Sequence, residues 1–204
     1  HASRSVLMHI INAIKTGDVN EAPRLEAMLS HTIQSNKERE MAYVRQATHD
    51  ALTGCKNRRA FDSDIAELLN AQQPFAMALV DIDNFKSIND TLGHLTGDIV
   101  LRNVAREGIQ IMQPHHVSVY RYGGEEFAVI FQAEQMSSAL SLLEAWRTAV
   151  EKRLWREENL RVTFSGGLGE WHFEPLEQFV GSVDNALYSA KQQGKNRIVR
   201  TSIS

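Results

Sequence analysis

Hydrophobic and polar positions change their pattern near residue 50. Before it, Val6, Leu7, Ile10, Ile11 and Ile14 recur at helical spacing, and Gly17-Asp18 interrupts the run. A second helix is predicted from about Asn20, with Glu21 and Pro23 in its first turn. It carries Leu25, Met28, Leu29 and Ile33, then enters the charged stretch Lys37 to Arg45, where the apolar stripe thins to Met41, Val44 and Ala47. Such a segment is either a plain packing piece or a linker that pairs with its own copy. Two helices have little core of their own, which favours the linker. Residues 1–48 are therefore read as a helical linker or dimerisation segment, and residues 49–204 as a separate domain.

From Asp50 to Phe61 the chain is a turn-rich connector leading into a helix that ends near Ala71. Phe75 to Val80 is a continuous apolar run, suited to a strand buried on both faces, and it ends in Asp81-Ile82-Asp83. A helix starts at Phe85, and after the polar stretch Asn89 to Asp98 another follows, with Ile99, Leu101, Val104, Ile109 and Met112 as its apolar positions. Val117 to Tyr120 and Phe127 to Phe131 read as strands flanking Arg121-Tyr122-Gly123-Gly124-Glu125-Glu126. The paired glycines there predict a tight hairpin whose turn residues take positive φ. Residues 135–156 read as a long helix with Leu140, Leu143, Trp146, Val150 and Leu154 inward. A glycine-bearing strand over Val162 to Gly169, a helix over Leu176 to Gln193 and a short strand at Ile198-Val199 complete the chain. The order α-β-α-α-β-β-α-β-α-β is that of an α/β domain with a mixed sheet flanked by helices, preceded by the N-terminal helical segment.

Composition narrows the function classes. A chain of 204 residues buries one substantial core, and a net charge of −3 gives no sign of a nucleic-acid-binding surface. The single cysteine, Cys55, excludes an internal disulfide and fits a reducing, cytoplasmic compartment. No apolar run approaches the roughly 20 residues of a membrane span. Because the chain opens at His1, an upstream sensor or membrane anchor is compatible with it, and it would then be the cytoplasmic part of an anchored protein.

The chemistry concentrates in two acidic stretches. Glu125 and Glu126 stand at the mouth of an apolar strand, where charge is costly unless it serves something. Alone, they read as surface glutamates on a solvated hairpin tip. Asp83 reads equally well as the N-cap of the following helix, but Asp81 lies one residue inside the apolar run and is harder to explain that way. If the two strands are neighbours, Asp81 and Glu125 face one divalent-cation site, with the Ile82 carbonyl as a further oxygen ligand. Lys191 and Lys195 near the last helix end place cations where a triphosphate would lie, although lysines there also suit the helix dipole.

Taken together, Asp50-Ala51-Leu52-Thr53-Gly54 with Asn57-Arg58-Arg59, Asp81-Ile82-Asp83-Asn84-Phe85-Lys86, Asn89-Asp90 with Gly93-His94 and Gly97-Asp98, Arg121 to Phe127, and Ala186-Leu187-Tyr188 through Lys195-Asn196-Arg197 occur in one family's order. Over about residues 47–200 the chain resembles the bacterial GGDEF-domain diguanylate cyclases, in the variant with glutamate at the third hairpin position. Cys55 stands where a larger aliphatic is usual. The resemblance implies a palm-like fold related to nucleotidyl cyclases, and the Mg²⁺-dependent joining of two GTP into cyclic di-GMP with release of two pyrophosphates; Mn²⁺ is the alternative ion. It implies Asp81, the Ile82 carbonyl and Glu125 as metal ligands, with Glu126 as helper. Glu125 is also implied as the base for the ribose 3′-hydroxyl, and Lys86 as the group that stabilises charge on the α-phosphate. Lys191 and Lys195 would take the outer phosphates, and Phe85, Asn89, His94, Asp98, Gly123 and Gly124 would surround the nucleotide. Each domain holds one GTP, so the implied enzyme works as a homodimer. The rival is a silent module that senses GTP or cyclic di-GMP, but such relics lose a metal carboxylate or the glycine pair, and both are present. A polymerase-like palm is disfavoured by the hairpin and by the lack of a basic groove. The product-inhibition Arg-x-x-Asp motif of the family would fall at Pro114 and Val117, so that site is absent.

Overall fold

The computed structural model describes residues 2–17 and 19–202 and divides into two compact units, residues 1–47 and 48–204. Asp18, half of the predicted break, lies outside the described residues. The first unit is made of α1 (Ala2–Thr16) and most of α2 (Ala22–Thr48), with a 3-10 turn at Val19–Glu21 between them. Val6 is buried, but Leu7, Ile14, Ile33, Met41 and Val44 are exposed, and no residue of α2 is buried. The apolar stripe read from the sequence is therefore largely uncovered here. Among the described residues no helix is long and apolar enough to cross a membrane.

The second unit is built on a five-stranded sheet in the order β2-β3-β1-β4-β5, formed by β1 (Phe75–Ile82), β2 (Ser118–Arg121), β3 (Glu126–Gln132), β4 (Phe164–Glu170) and β5 (Ile198–Arg200). Only the β4–β5 pair is parallel; β1 pairs antiparallel with both β3 and β4. The apolar run of β1 is explained by its central place. Ala76, Ala78, Val80 and Ile82 face a core shared with α5 (His94–Met112) and α6 (Ala139–Lys152), whereas Phe75, Met77 and Leu79 face α3 (Arg58–Asn70) and α7 (Leu176–Gln192). Alternation thus buries both faces. Connector residue Lys56 bonds along β2, donating to the Val119 carbonyl and accepting from Arg121 N–H, which covers the sheet edge and fixes the turn that contains Asp50.

Three expectations are corrected. Leu154 is 94% exposed, because α6 stops at Lys152 and Arg153 turns extended, ending the inward face one turn early. Ile99 is likewise exposed at the rim of α5. The hairpin glycines also differ from expectation. Positive φ is found at Gly17, Gly54, Gly93 and Gly194 but not at Gly123 or Gly124, and a four-residue loop joins β2 to β3. At Gly123 a Cβ would stand 3.0 Å from Glu126 Oε2, the end of a side chain that can shift.

The glycines of β4 also make room. A Cβ on Gly167 would run into the backbone of α7, at the Val183 carbonyl and at Leu187 N, so α7 lies directly on the strand. That close approach, backed by Phe179, Val183 and Leu187 in the core, carries the last turn of α7 to the acidic end of β1.

Candidate active site

The β1–β3 register sets Asp81 opposite Glu126, and the next hydrogen bond runs from Ile82 N–H to the Glu125 carbonyl at 3.2 Å. Opposed residues of an antiparallel pair share a face, so Asp81 and Glu126 project to the α3 and α7 side. Lys191 reaches Asp81 from α7. Its ammonium donates to Asp81 Oδ1 at 2.7 Å, to the Asp81 carbonyl at 3.2 Å and to Asp83 Oδ1 at 2.8 Å.

The electrostatics follow from this crowding. Burial pushes the Asp81 carboxyl up; Lys191 opposes it, and the charges of Glu125 and Asp83 add to the rise, leaving a raised pKa. Glu126 is raised too, by burial first and then by Asp81, Asp184 and Glu125, with Arg58 opposing. Asp83 behaves oppositely. Burial alone would raise it, but hydrogen bonds from Lys191, Ser165 and Thr163 outweigh that and hold it low. The Thr163 and Ser165 hydroxyls donate to Asp83 at 2.7 Å each, and Asn196 N–H donates at 3.1 Å. The cap reading of Asp83 is therefore replaced. Asn84, in the left-handed region at φ 56°, occupies the cap position of α4 (Phe85–Leu92) and makes no side-chain cap bond. Asp83 instead ties β1 to β4 and to the loop between α7 and β5.

The hairpin tip is braced from outside. Arg121 donates twice to the Gly124 carbonyl, at 2.9 and 3.2 Å, and with Nη1 to the Asp50 carboxylate at 3.1 and 3.2 Å. Arg58 stacks 3.7 Å over the Tyr122 ring and donates to the Tyr122 carbonyl. Asp50, Arg58, Asp83 and Arg121 were not among the predicted site residues. The Asp-x-x-Thr spacing of residues 50–53 is the one local signal for any of them, since Asp50 accepts from Thr53 N–H and its hydroxyl in a side-chain turn.

The other predicted residues fall in two places. Lys195, at φ 66°, donates to Asn84 Oδ1 at 2.7 Å beside the acidic cluster. Phe85 and Asn89 gather where α4 meets α5, both close enough to Gly97 that a Cβ there would touch Phe85 and overlap Asn89, and Asp98 follows Gly97 on α5. Asn89 Oδ1 is buried and has no hydrogen-bond partner among the described residues, an expensive state that a ligand donor would relieve. Lys86 and His94 are exposed on the first turns of their helices.

Among the described residues no three His, Cys, Asp or Glu side chains converge as a ready-made metal cage. The oxygens present are a few carboxylates and strand-end carbonyls. That set suits a hard ion such as Mg²⁺, which takes one or two carboxylates and completes its shell with phosphate oxygens and water.

The family model described as diguanylate cyclase, GGDEF domain, matches residues 47–197. A diguanylate cyclase of Vibrio cholerae, VdcA, is 37% identical over 169 residues, covering 80% of this chain and 50% of its own length. DgcZ of Escherichia coli, also named a diguanylate cyclase, is 33% identical over 177 residues, 84% of this chain and 60% of its own. The chain thus spans little more than half the length of these curated relatives. Among solved structures, the coiled coil and GGDEF domain of DgcB from Caulobacter crescentus, in complex with c-di-GMP, superposes with a TM-score of 0.74 at 32% identity, covering 89% of this chain and 100% of that one. With the family match spanning strands β1 to β4 and their carboxylate end, this chain belongs to the GGDEF-domain family of diguanylate cyclases.

Proposed function

We propose that this chain condenses two GTP into cyclic di-GMP and two pyrophosphates. The observation that carries the reading is the β1–β3 register, which gathers Asp81, Glu125 and Glu126 at one sheet end beside Lys191. Asp81, the Ile82 carbonyl and Glu125, with Glu126 beside them, would hold Mg²⁺ or Mn²⁺. The bound ion supplies charge neutralisation at phosphate oxygens. The chain's own groups do the rest. Glu125 takes the proton of the attacking 3′-hydroxyl, and Lys86 stabilises charge at the α-phosphate as pyrophosphate leaves. Lys191 and Lys195 receive the outer phosphates. Asn89 and Asp98 read the guanine, within a site completed by Phe85, His94, Gly123 and Gly124. Phosphoryl transfer of this kind depends on positioning and charge compensation rather than on covalent help.

Ring closure needs two such sites facing each other, which a C2 pair of chains provides. Residues 1–48 are the segment that brings the pair together. The exposed Ile33, Met41 and Val44 on α2 support this, as does the match to the DgcB structure that includes a coiled coil. A second role for these helices, docking an activator protein, is favoured by one likeness: the complex of diguanylate cyclase SiaD with its activator SiaC from Pseudomonas aeruginosa covers 97% of this chain, at 29% identity and a TM-score of 0.73. GTP as substrate and a lone free cysteine fit a cytoplasmic enzyme.

The test is incubation of the purified chain with GTP and MgCl₂, followed by chromatography of the products. Cyclic di-GMP and pyrophosphate are expected from the wild type and neither from Glu125→Gln of unchanged melting temperature. GTP bound but unconverted by the wild type would show a silent module instead.

A further inference from the structure

We infer that Lys191 is a tethered counter-ion of the metal-binding carboxylate. Anchored on Asp83, it neutralises Asp81 in the nucleotide-free protein and passes to the phosphates when a divalent cation takes its place. The inference rests on the metal-site reading above and extends it to what the chain does before nucleotide arrives.

The count of donors carries it. An ammonium has three N–H groups, and three acceptors lie within hydrogen-bond distance: Asp81 Oδ1, the Asp81 carbonyl and Asp83 Oδ1. In this arrangement Lys191 has none left for a phosphate, so binding one requires it to release a partner. The two aspartates are unequal as partners. The Asp83 side chain is 1% exposed and is gripped by Thr163, Ser165 and Asn196 as well, so it stays in place. The hydrogen bonding that stabilises charged Asp81 comes from Lys191, while burial and the nearby Glu125 work against it. The Asp81 side chain is also more open, at 20% exposed. The bond that yields is therefore Lys191 to Asp81.

An incoming divalent cation supplies Asp81 with more positive charge than the ammonium did, so the exchange leaves the carboxylate compensated throughout. Asp83 keeps Lys191 within reach, so the released N–H groups face the phosphates that arrive with the ion. Asp83 is thus a positioning residue, acting through Lys191.

The experiment is a titration of MnCl₂ followed by electron paramagnetic resonance, on nucleotide-free protein and on protein saturated with a non-reactive GTP analogue. In Lys191→Met the competing ammonium is gone. Nucleotide-free Mn²⁺ affinity is expected to rise roughly tenfold, the scale of one charge-assisted hydrogen bond, while affinity for the analogue falls by a similar factor. General damage to the site would weaken both. Lys191→Arg, which keeps the charge, should leave nucleotide-free Mn²⁺ affinity within about twofold of wild type, by the same scale. Lys191→Gln is measured in parallel, so that a folded neutral variant is in hand, as judged by circular dichroism. Mn²⁺ affinity unchanged or weakened in the folded neutral variant overturns the inference. Asp81→Asn separates that failure from failure of the metal-site reading. If Mn²⁺ binding with the analogue does not depend on Asp81, the reading itself falls.

Discussion

Replacing Gly167 by alanine puts a methyl group where the chain already has the backbone of α7. The added Cβ would stand 2.6 Å from Leu187 N and 3.1 Å from Ala186 Cβ, with the Val183 carbonyl nearer still. Carbon atoms settle at about 3.5–4.0 Å, so helix or strand must give by on the order of 1 Å. Neither yields easily, since Phe179, Val183 and Leu187 hold α7 in the core and β4 is paired on both sides. Overpacking costs about 1–3 kcal/mol, and obstacles made of backbone rather than rotatable side chain put this case at the upper end. At about 3 kcal/mol, a domain of this size loses roughly 6–12 °C in melting temperature. Thermal unfolding followed by circular dichroism reads the loss directly. GTP turnover below the transition should fall as well, because the same helix carries Lys191. Gly124→Ala is the internal control. It meets nothing within 4 Å and needs no positive φ, so its melting temperature should match wild type. A Gly167→Ala protein melting within about 1 °C of wild type, on the same scale, would refute the claim that β4 is glycine-rich to admit α7.

Three other outcomes are expected. Asp50 is pulled upward by burial, but Thr53 and Arg121 outweigh this and hold its carboxyl below the usual 3.8. A folded-state pKa lowered in this way gives stability that is full above the unfolded value and lost as pH falls through the folded one. Asp50→Asn should therefore melt below wild type at pH 7, by about 1–3 kcal/mol, with the gap closing below about pH 4; a gap independent of pH would contradict the Asp50–Arg121 pairing as its source. Removing residues 1–47 should reduce turnover most at low protein concentration, where encounter of two domains limits the rate; an unchanged concentration dependence assigns the segment another role. Cyclic di-GMP titrated into the turnover assay should inhibit little, since Pro114 sits in a 3-10 turn and Val117 is buried where the family's arginine and aspartate would stand. Strong inhibition non-competitive with GTP would locate a regulatory surface elsewhere.

The order of elements after residue 50 was legible because burial leaves a local trace. A strand segment covered on both faces is apolar throughout, as the six residues Phe75 to Val80 of β1 are, and amphipathic helices repeat every three to four residues. The acidic ends of β1 and β3 were legible for the converse reason: charge inside such runs is too costly to be accidental. Their alignment was not, because register belongs to the pair of strands, and it opposes Asp81 to Glu126 where sequence order had singled out Glu125. Gly123 and Gly124 marked a turn, yet neither takes a positive φ, and the one close neighbour, the Glu126 carboxylate over Gly123, is set by the fold. Leu154 kept the helical spacing of its neighbours and still faces solvent, since only the chain path after Lys152 decides where the inward face stops. Asp83 is the clearest case. Its local context is that of a helix cap, while the partners that bury and charge it, Thr163, Ser165, Lys191 and Asn196, lie 80 to 113 residues away. Composition and periodicity report what each segment buries. Which donor meets which acceptor is decided only when strands pair and α7 closes on the glycines of β4.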